Sequence, residues 1–160
     1  MENISVLQKR FISIDYGKKR IGVAISDPLN ITARGLCTLL NDDSFDQKFT
    51  DILIEYTPQA IILGMPYMLS GDIGDMAIEV QNFAKILKGK YNLPIIFWDE
   101  RYTSKTAMET MISSGMKKKK RAKKENKDRI ASAILLQDYL DFKNNSPPER
   151  RINTLTNGGF

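Results

Sequence analysis

Acidic residues that close predicted strands are where chemistry in this chain is to be sought. Asp15 follows the apolar run Phe11-Ile12-Ser13-Ile14, Asp99 and Glu100 follow Leu93 to Trp98, and Asp128 opens the last helical stretch. Singly, an Asp at such a place serves a turn or a helix cap. Drawn to one edge of a sheet, like-charged carboxylates repel and rise in pKa unless a cation neutralises them, so convergence implies a metal. The chain has no histidine and one cysteine, Cys37. That excludes histidine bases, histidine-containing triads and thiolate zinc clusters. Oxygen donors alone suit Mg²⁺ or Mn²⁺. Two such ions about 3.5–4 Å apart would activate water and stabilise the leaving oxygen in phosphodiester hydrolysis. Candidate catalytic and metal-binding residues are therefore Asp15, Asp128 and either Glu100 or Asp99. Adjacent side chains of an extended strand face opposite ways. Glu100 is favoured because its longer side chain reaches inward, while Asp99 bonds backbone or holds Arg101.

Charge points to the same class of substrate. The net charge is +5, and residues 116–127 carry eight Lys or Arg against Glu125 alone, which makes that segment +7 and the remainder −2. A nearly neutral body with one basic loop suggests a local anionic partner. The bland alternative is a solvated, disordered loop. Candidate nucleic-acid contacts are Lys117, Lys118, Lys119, Lys120 and Arg121 in that loop, Lys18 and Arg20 near Gly17, and Arg101, Thr103 and Ser104 after the last strand. Thr103 and Ser104 serve equally as helix caps.

The elements that must position these residues follow from periodicity. Phe11 to Asp15 and Ile21 to Ser26 are β-rich runs joined through Gly17, which reads as a hairpin, and Thr32 to Leu40 is a less regular third strand. Phe45, Phe49, Ile52, Leu53 and Tyr56 recur at helical spacing between the possible caps Asn41 to Ser44 and Pro58. Ala60 to Leu63, ending at Gly64, is continuously apolar, as in a strand buried on both faces. A second helix shows Met76, Val80, Phe83, Ala84 and Leu87 on one stripe, with Gly89 near its end, and Leu93 to Trp98 is another buried strand. A polar helix is predicted over Ser104 to Ser113, and a final one from Lys127 to Phe142 carrying Ile130, Ala131, Ala133, Ile134, Leu135 and Tyr139. Alternating strands and helices imply parallel pairing with right-handed crossovers. The prediction is an α/β fold with a mixed five-stranded sheet flanked by helices, whose ligands bind beyond the carboxyl ends of the strands.

At 160 residues with 42% apolar content, the chain has the size of one domain. We place that domain at residues 1–143 and a flexible C-terminal tail at 144–160. No secretion signal or membrane span is visible. A lone cysteine suits a reducing compartment, so the expected location is cytoplasmic.

The segment from Ile14-Asp15-Tyr16-Gly17-Lys18-Lys19-Arg20-Ile21-Gly22 to Ser26-Asp27-Pro28 resembles the opening of the YqgF proteins, which are RNase H-like resolvases. The similarity continues through Ile62-Leu63-Gly64-Met65-Pro66, Trp98-Asp99-Glu100-Arg101-Tyr102-Thr103-Ser104 and Asp128-Arg129-Ile130-Ala131-Ser132 to Gln137, and covers roughly residues 10–142. It implies an RNase H-like fold and catalytic carboxylates at Asp15, Glu100 (or Asp99) and Asp128 working with divalent metal. It also implies bacterial cytoplasm and processing of the 5′ end of pre-16S rRNA, with Holliday-junction cleavage as the older idea. One departure stands out. Where the family has a polar Asn and Asp before a glycine, this chain has Met68 and Ser70 before Gly71.

Three functions compete. The first is a metal-dependent endonuclease on rRNA precursor or branched DNA, as a monomer or homodimer. The second is a non-catalytic RNA-binding assembly factor, for which the basic loop matters more than the acids. The third is nucleotide binding, since the Asp15-to-Gly22 hairpin also resembles the phosphate-binding hairpin of actin-like ATPases. Those close two such domains around ATP, and this chain has length for one.

Overall fold

In a pleated strand, alternate residues face opposite sides, and in this protein each central strand divides its residues between two cores. The computed structural model describes residues 9–68, 70–100 and 124–146. The strands are β1 (Phe11–Asp15), β2 (Arg20–Ser26), β3 (Ala33–Leu40), β4 (Ala60–Met65) and β5 (Ile95–Asp99). The helices are α1 (Phe45–Tyr56), α2 (Asp75–Tyr91) and α3 (Lys124–Asn145). They form the predicted five-stranded mixed sheet, in the order β3-β2-β1-β4-β5. β1 pairs antiparallel with β2 and parallel with β4, and β5 extends the parallel half.

One face is lined by Ile12, Ile14, Ile21, Val23, Ile25, Ile61, Leu63, Met65 and Ile95, which pack on Phe45 and Phe49 of α1 and on Ala77, Val80, Ala84 and Leu87 of α2. On the other, Phe11, Ala24, Ala60, Ile62 and Ile96 pack on Ala133, Leu135, Leu136, Tyr139 and Leu140 of α3. Because helices cover both faces, all six residues of β4 are buried.

The structure departs from the sequence reading in three places and explains a fourth feature. Met76, assigned above to the buried stripe of α2, is exposed, and its neighbour Ala77 is buried instead. Positions 77, 80, 84 and 87 keep the 3–4 spacing that one helix face requires. β3 is the less regular strand expected, and for a definite reason: Val23 pairs with Cys37 but Ala24 with Gly35, so Leu36 is the extra residue of a bulge. α1 has no side-chain cap at Ser44, whose own N–H and hydroxyl donate to Asp42 Oδ1 at 2.8 and 2.5 Å. α3 starts at Lys124 and runs to Asn145, longer at both ends than predicted. Its last turn is tied down by Asn144 Nδ2, which donates to the Asn30 carbonyl at 2.9 Å. Among the described residues, no helix is long and apolar enough to cross a membrane.

Candidate active site

Small residues let α3 lie close on the sheet, and this sets the place of the acids. Ser13 Oγ donates to the Ser132 carbonyl at 2.8 Å, and Ser132 Oγ donates to the Arg129 carbonyl at 2.8 Å. Gly22 on β2 is the closest approach. A Cβ there would lie 2.1 Å from the Asp128 carbonyl oxygen and 2.7 Å from its carbon. A side chain at position 22 would push the first turns of α3 off the sheet.

Asp15 ends β1 on this same face, two residues beyond Ser13, and its cross-strand partner is Gly22. On the other side lies Gly64, which follows Leu63, the partner of Ile14. Asp15 thus sits between two glycines. The first admits the Asp128 backbone. The second admits Glu100, for a Cβ on Gly64 would lie 2.4 Å from Glu100 Oε1 and 3.2 Å from Cδ. Glu100 continues the α3-facing set Ile96 and Trp98, whereas Asp99 continues Ile95 and Phe97 on the α1–α2 side.

The side chains of Asp15 and Glu100 are hydrogen-bonded to each other. Two carboxylates make such a bond only if one carries a proton. Burial, reinforced by the charge and hydrogen bond of Glu100 and then by the charge of Asp128, pushes Asp15 up to about 8, so the pair holds one shared proton. Glu100 is raised as well, first by burial and then by the charge of Asp99, while the hydrogen bond from Asp15 counteracts. Asp128 is turned elsewhere. Its Oδ2 accepts from Arg20 Nε at 3.2 Å, with the two side chains 31% and 30% exposed. It stands one turn inside α3 rather than at its start.

Asp15 and Glu100 therefore meet, the charge of Asp128 acts on Asp15, and Asp99, on the other side of the strand, acts on Glu100 by its charge. Among the described residues no group of three His, Cys, Asp or Glu is already drawn together as a ligand set. The donor chemistry fits a hard divalent cation nonetheless. An oxygen-only pair that must hold a proton to coexist is a pair that a cation would relieve.

Of the candidate nucleic-acid contacts, Lys18 Nζ lies 3.4 Å from Glu79 Oε1, and Arg20 is held by Asp128. Arg101, Thr103, Ser104, the predicted helix over 104–113 and the loop residues Lys117, Lys118, Lys119, Lys120 and Arg121 lie outside the described residues. In the segment that departs from the YqgF pattern, Met68 is exposed and Ser70 Oγ donates to Asp72 Oδ2 at 2.8 Å. Sequence reasoning missed the two glycines and the Arg20–Asp128 pair. A signal for Gly22 and Gly64 existed, because a glycine inside an apolar strand run marks a bulge or a close approach.

Comparison with known proteins places this chain among nucleases. Residues 9–142 match the model of the family described as RuvX, Holliday junction resolvase. A relative from Listeria innocua, named "Putative pre-16S rRNA nuclease", is 37% identical over 139 residues, covering 84% of this chain and 99% of that protein. One of the same name from Sulfurihydrogenibium is 39% identical over 134 residues, covering 82% and 90%. Among solved structures, T. thermophilus RuvC in complex with a Holliday junction substrate superposes with a TM-score of 0.55 at 12% identity, covering 84% of this chain and 96% of that one. That likeness establishes the RNase H-like resolvase fold.

Proposed function

Because the chain belongs to the RuvX family of Holliday junction resolvases, we propose that it is a divalent-metal-dependent endonuclease processing the 5′ end of pre-16S rRNA in the cytoplasm. The chain is a nuclease, a hydrolase acting on phosphodiester bonds. The observation that carries the metal-dependent reading is the proton-sharing Asp15–Glu100 pair, with the charge of Asp128 close enough to act on it. RNA is preferred over DNA because the relatives at 37% and 39% identity bear an rRNA nuclease name, while the junction-bound RuvC is 12% identical.

Asp15, Glu100 and Asp128 would hold Mg²⁺ or Mn²⁺, which when bound supplies a Lewis acid for the phosphate and lowers the pKa of water. The residues of the chain do the rest. The Asp15–Glu100 pair must release its shared proton before both carboxylates are available as anions. Asp128 must exchange the Arg20 guanidinium, and Arg20, so released, lies beside the acids as a partner for a phosphate oxygen. Lys18, Arg101, Thr103, Ser104 and Lys117 to Arg121 would hold the substrate backbone. Gly22 and the Ser13–Ser132 bond keep α3, and with it Asp128, against the sheet.

The test is cleavage mapping on an RNA spanning the 5′ end of the 16S precursor and on a four-way DNA junction. Both are incubated with Mg²⁺ or Mn²⁺ and with protein of measured mass in solution. The wild-type chain should cut the RNA, and Asp15→Asn and Asp128→Asn should lose that cutting. Undiminished cleavage by either variant would refute the assignment. Junction resolution is the second reading, favoured by the description of the family itself. Paired nicks need two active sites, so it requires a dimer. A monomer that cuts only RNA would exclude it.

A further inference from the structure

Gly64 has no backbone reason to be glycine. It lies inside β4, and Gly71 is the described glycine with a positive φ. A glycine there weakens a strand, at a cost of roughly 0.5–1 kcal/mol relative to alanine. What the missing side chain leaves room for is specific. An added Cβ would lie 2.4 Å from Glu100 Oε1, 3.2 Å from Glu100 Cδ and 2.7 Å from Leu135 Cδ1. All three atoms belong to the far ends of flexible side chains. At Gly22, by contrast, the nearest atoms are backbone, the Asp128 carbonyl oxygen at 2.1 Å and its carbon at 2.7 Å. The fold can tolerate a methyl group at 64 by swinging two side-chain ends aside, and one of those ends is the Glu100 carboxylate.

We infer that Gly64 is a positioning residue: the bare backbone at this point of β4 is the cradle that lets the Glu100 carboxylate cross over the strand and meet Asp15. The inference rests on the nuclease reading for its consequence, since only a metal-binding pair makes that meeting useful. Its geometry is independent of that reading. β5 lies next to β4, and β1 lies on the far side of β4, so a side chain leaving the end of β5 must pass over β4 to reach Asp15. Any Cβ at position 64 stands in that path.

The experiment compares wild type, Gly64→Ala, Leu135→Val and the double variant Gly64→Ala/Leu135→Val. The readouts are thermal unfolding, metal-free crystal structures and Mn²⁺ binding followed by electron paramagnetic resonance. Gly64→Ala should fold, with a Tm within a few degrees of wild type, and its Glu100 carboxylate should be out of hydrogen-bond reach of Asp15. Its Mn²⁺ affinity should fall at least tenfold, and Leu135→Val, which removes the other obstacle, should not restore it. The inference is overturned if Gly64→Ala unfolds, if Glu100 keeps its bond to Asp15, if Mn²⁺ affinity is unchanged, or if Leu135→Val rescues it. Should the wild-type protein bind no Mn²⁺ and cut neither substrate, the nuclease reading fails. The crystal structures then decide the positioning role alone.

Discussion

Replacing Asp15 with asparagine should stabilise the metal-free protein, and by an amount that depends on pH in a definite direction. Asp15 is raised from 3.8 to about 8 by burial, by Glu100 and by Asp128. A carboxyl whose folded pKa lies above its unfolded value contributes stability at low pH, and that contribution is lost as pH climbs from the unfolded value through the folded one. At 1.36 kcal/mol per unit, raising the pH from 4.5 to 8 removes about 4 kcal/mol from the wild-type chain through this group. Asparagine is uncharged throughout, and its amide can donate to Glu100 in place of the shared proton. At about 3 °C per kcal/mol for a domain of this size, the Tm of Asp15→Asn should exceed that of wild type by roughly 10 °C more at pH 8 than at pH 4.5. The assay is calorimetric unfolding of both proteins in EDTA at the two pH values. Adding Mg²⁺ at pH 8 should raise the wild-type Tm and close the gap, because a cation takes over the neutralising role of the proton. Equal pH dependence of the two chains, or an Asp15→Asn variant less stable than wild type at pH 8, would refute the reasoning that the two acids share a proton.

Two more outcomes follow from the same geometry, and a third from the charge of the sequence. Gly22→Ala drives a methyl group into the Asp128 carbonyl, so it should cost about 1–3 kcal/mol by overpacking and lose cleavage together with stability; urea unfolding beside an activity assay checks this, and a stable, active variant would contradict the close docking of α3. Arg20→Gln removes the cation that competes with metal for Asp128 across 3.2 Å, and should cost less than about 1 kcal/mol of stability for a pair this exposed. Mn²⁺ should bind it more tightly and nucleic acid more weakly, and titration calorimetry showing the reverse order would remove Arg20 from the substrate path. Replacing Lys117, Lys118, Lys119 and Lys120 with alanine should weaken nucleic-acid binding and flatten the plot of log affinity against log salt by about 0.7–0.9 per lost phosphate contact; an unchanged slope in filter binding would reduce the loop to solvated surface.

Much of the architecture could be read from local pattern, because the periods of 2 and 3.6 that distinguish strands from helices are short-range properties of the chain. The continuous apolar run at Ala60–Leu63 belongs to a strand covered on both faces, and the alternation along β5 separates Glu100 from Asp99 on local grounds alone. Composition likewise confined the chemistry to oxygen donors, since the chain holds no histidine and one cysteine. Even within a helix the local signal is loose by one position, which is why Met76 and Ala77 changed places.

What the tertiary structure alone decided is which distant residues become neighbours. Arg20 meets Asp128 across 108 residues of sequence, and Ser13 meets Ser132 across 119. Gly22 and Gly64 flank Asp15 only because β2 and β4 pair with opposite edges of β1 in one particular register. A glycine in a strand has the same local preference whether its bare face meets solvent or a carboxylate. What gives it a place in the site comes from atoms brought in by another segment, and no periodicity near residue 64 encodes their arrival.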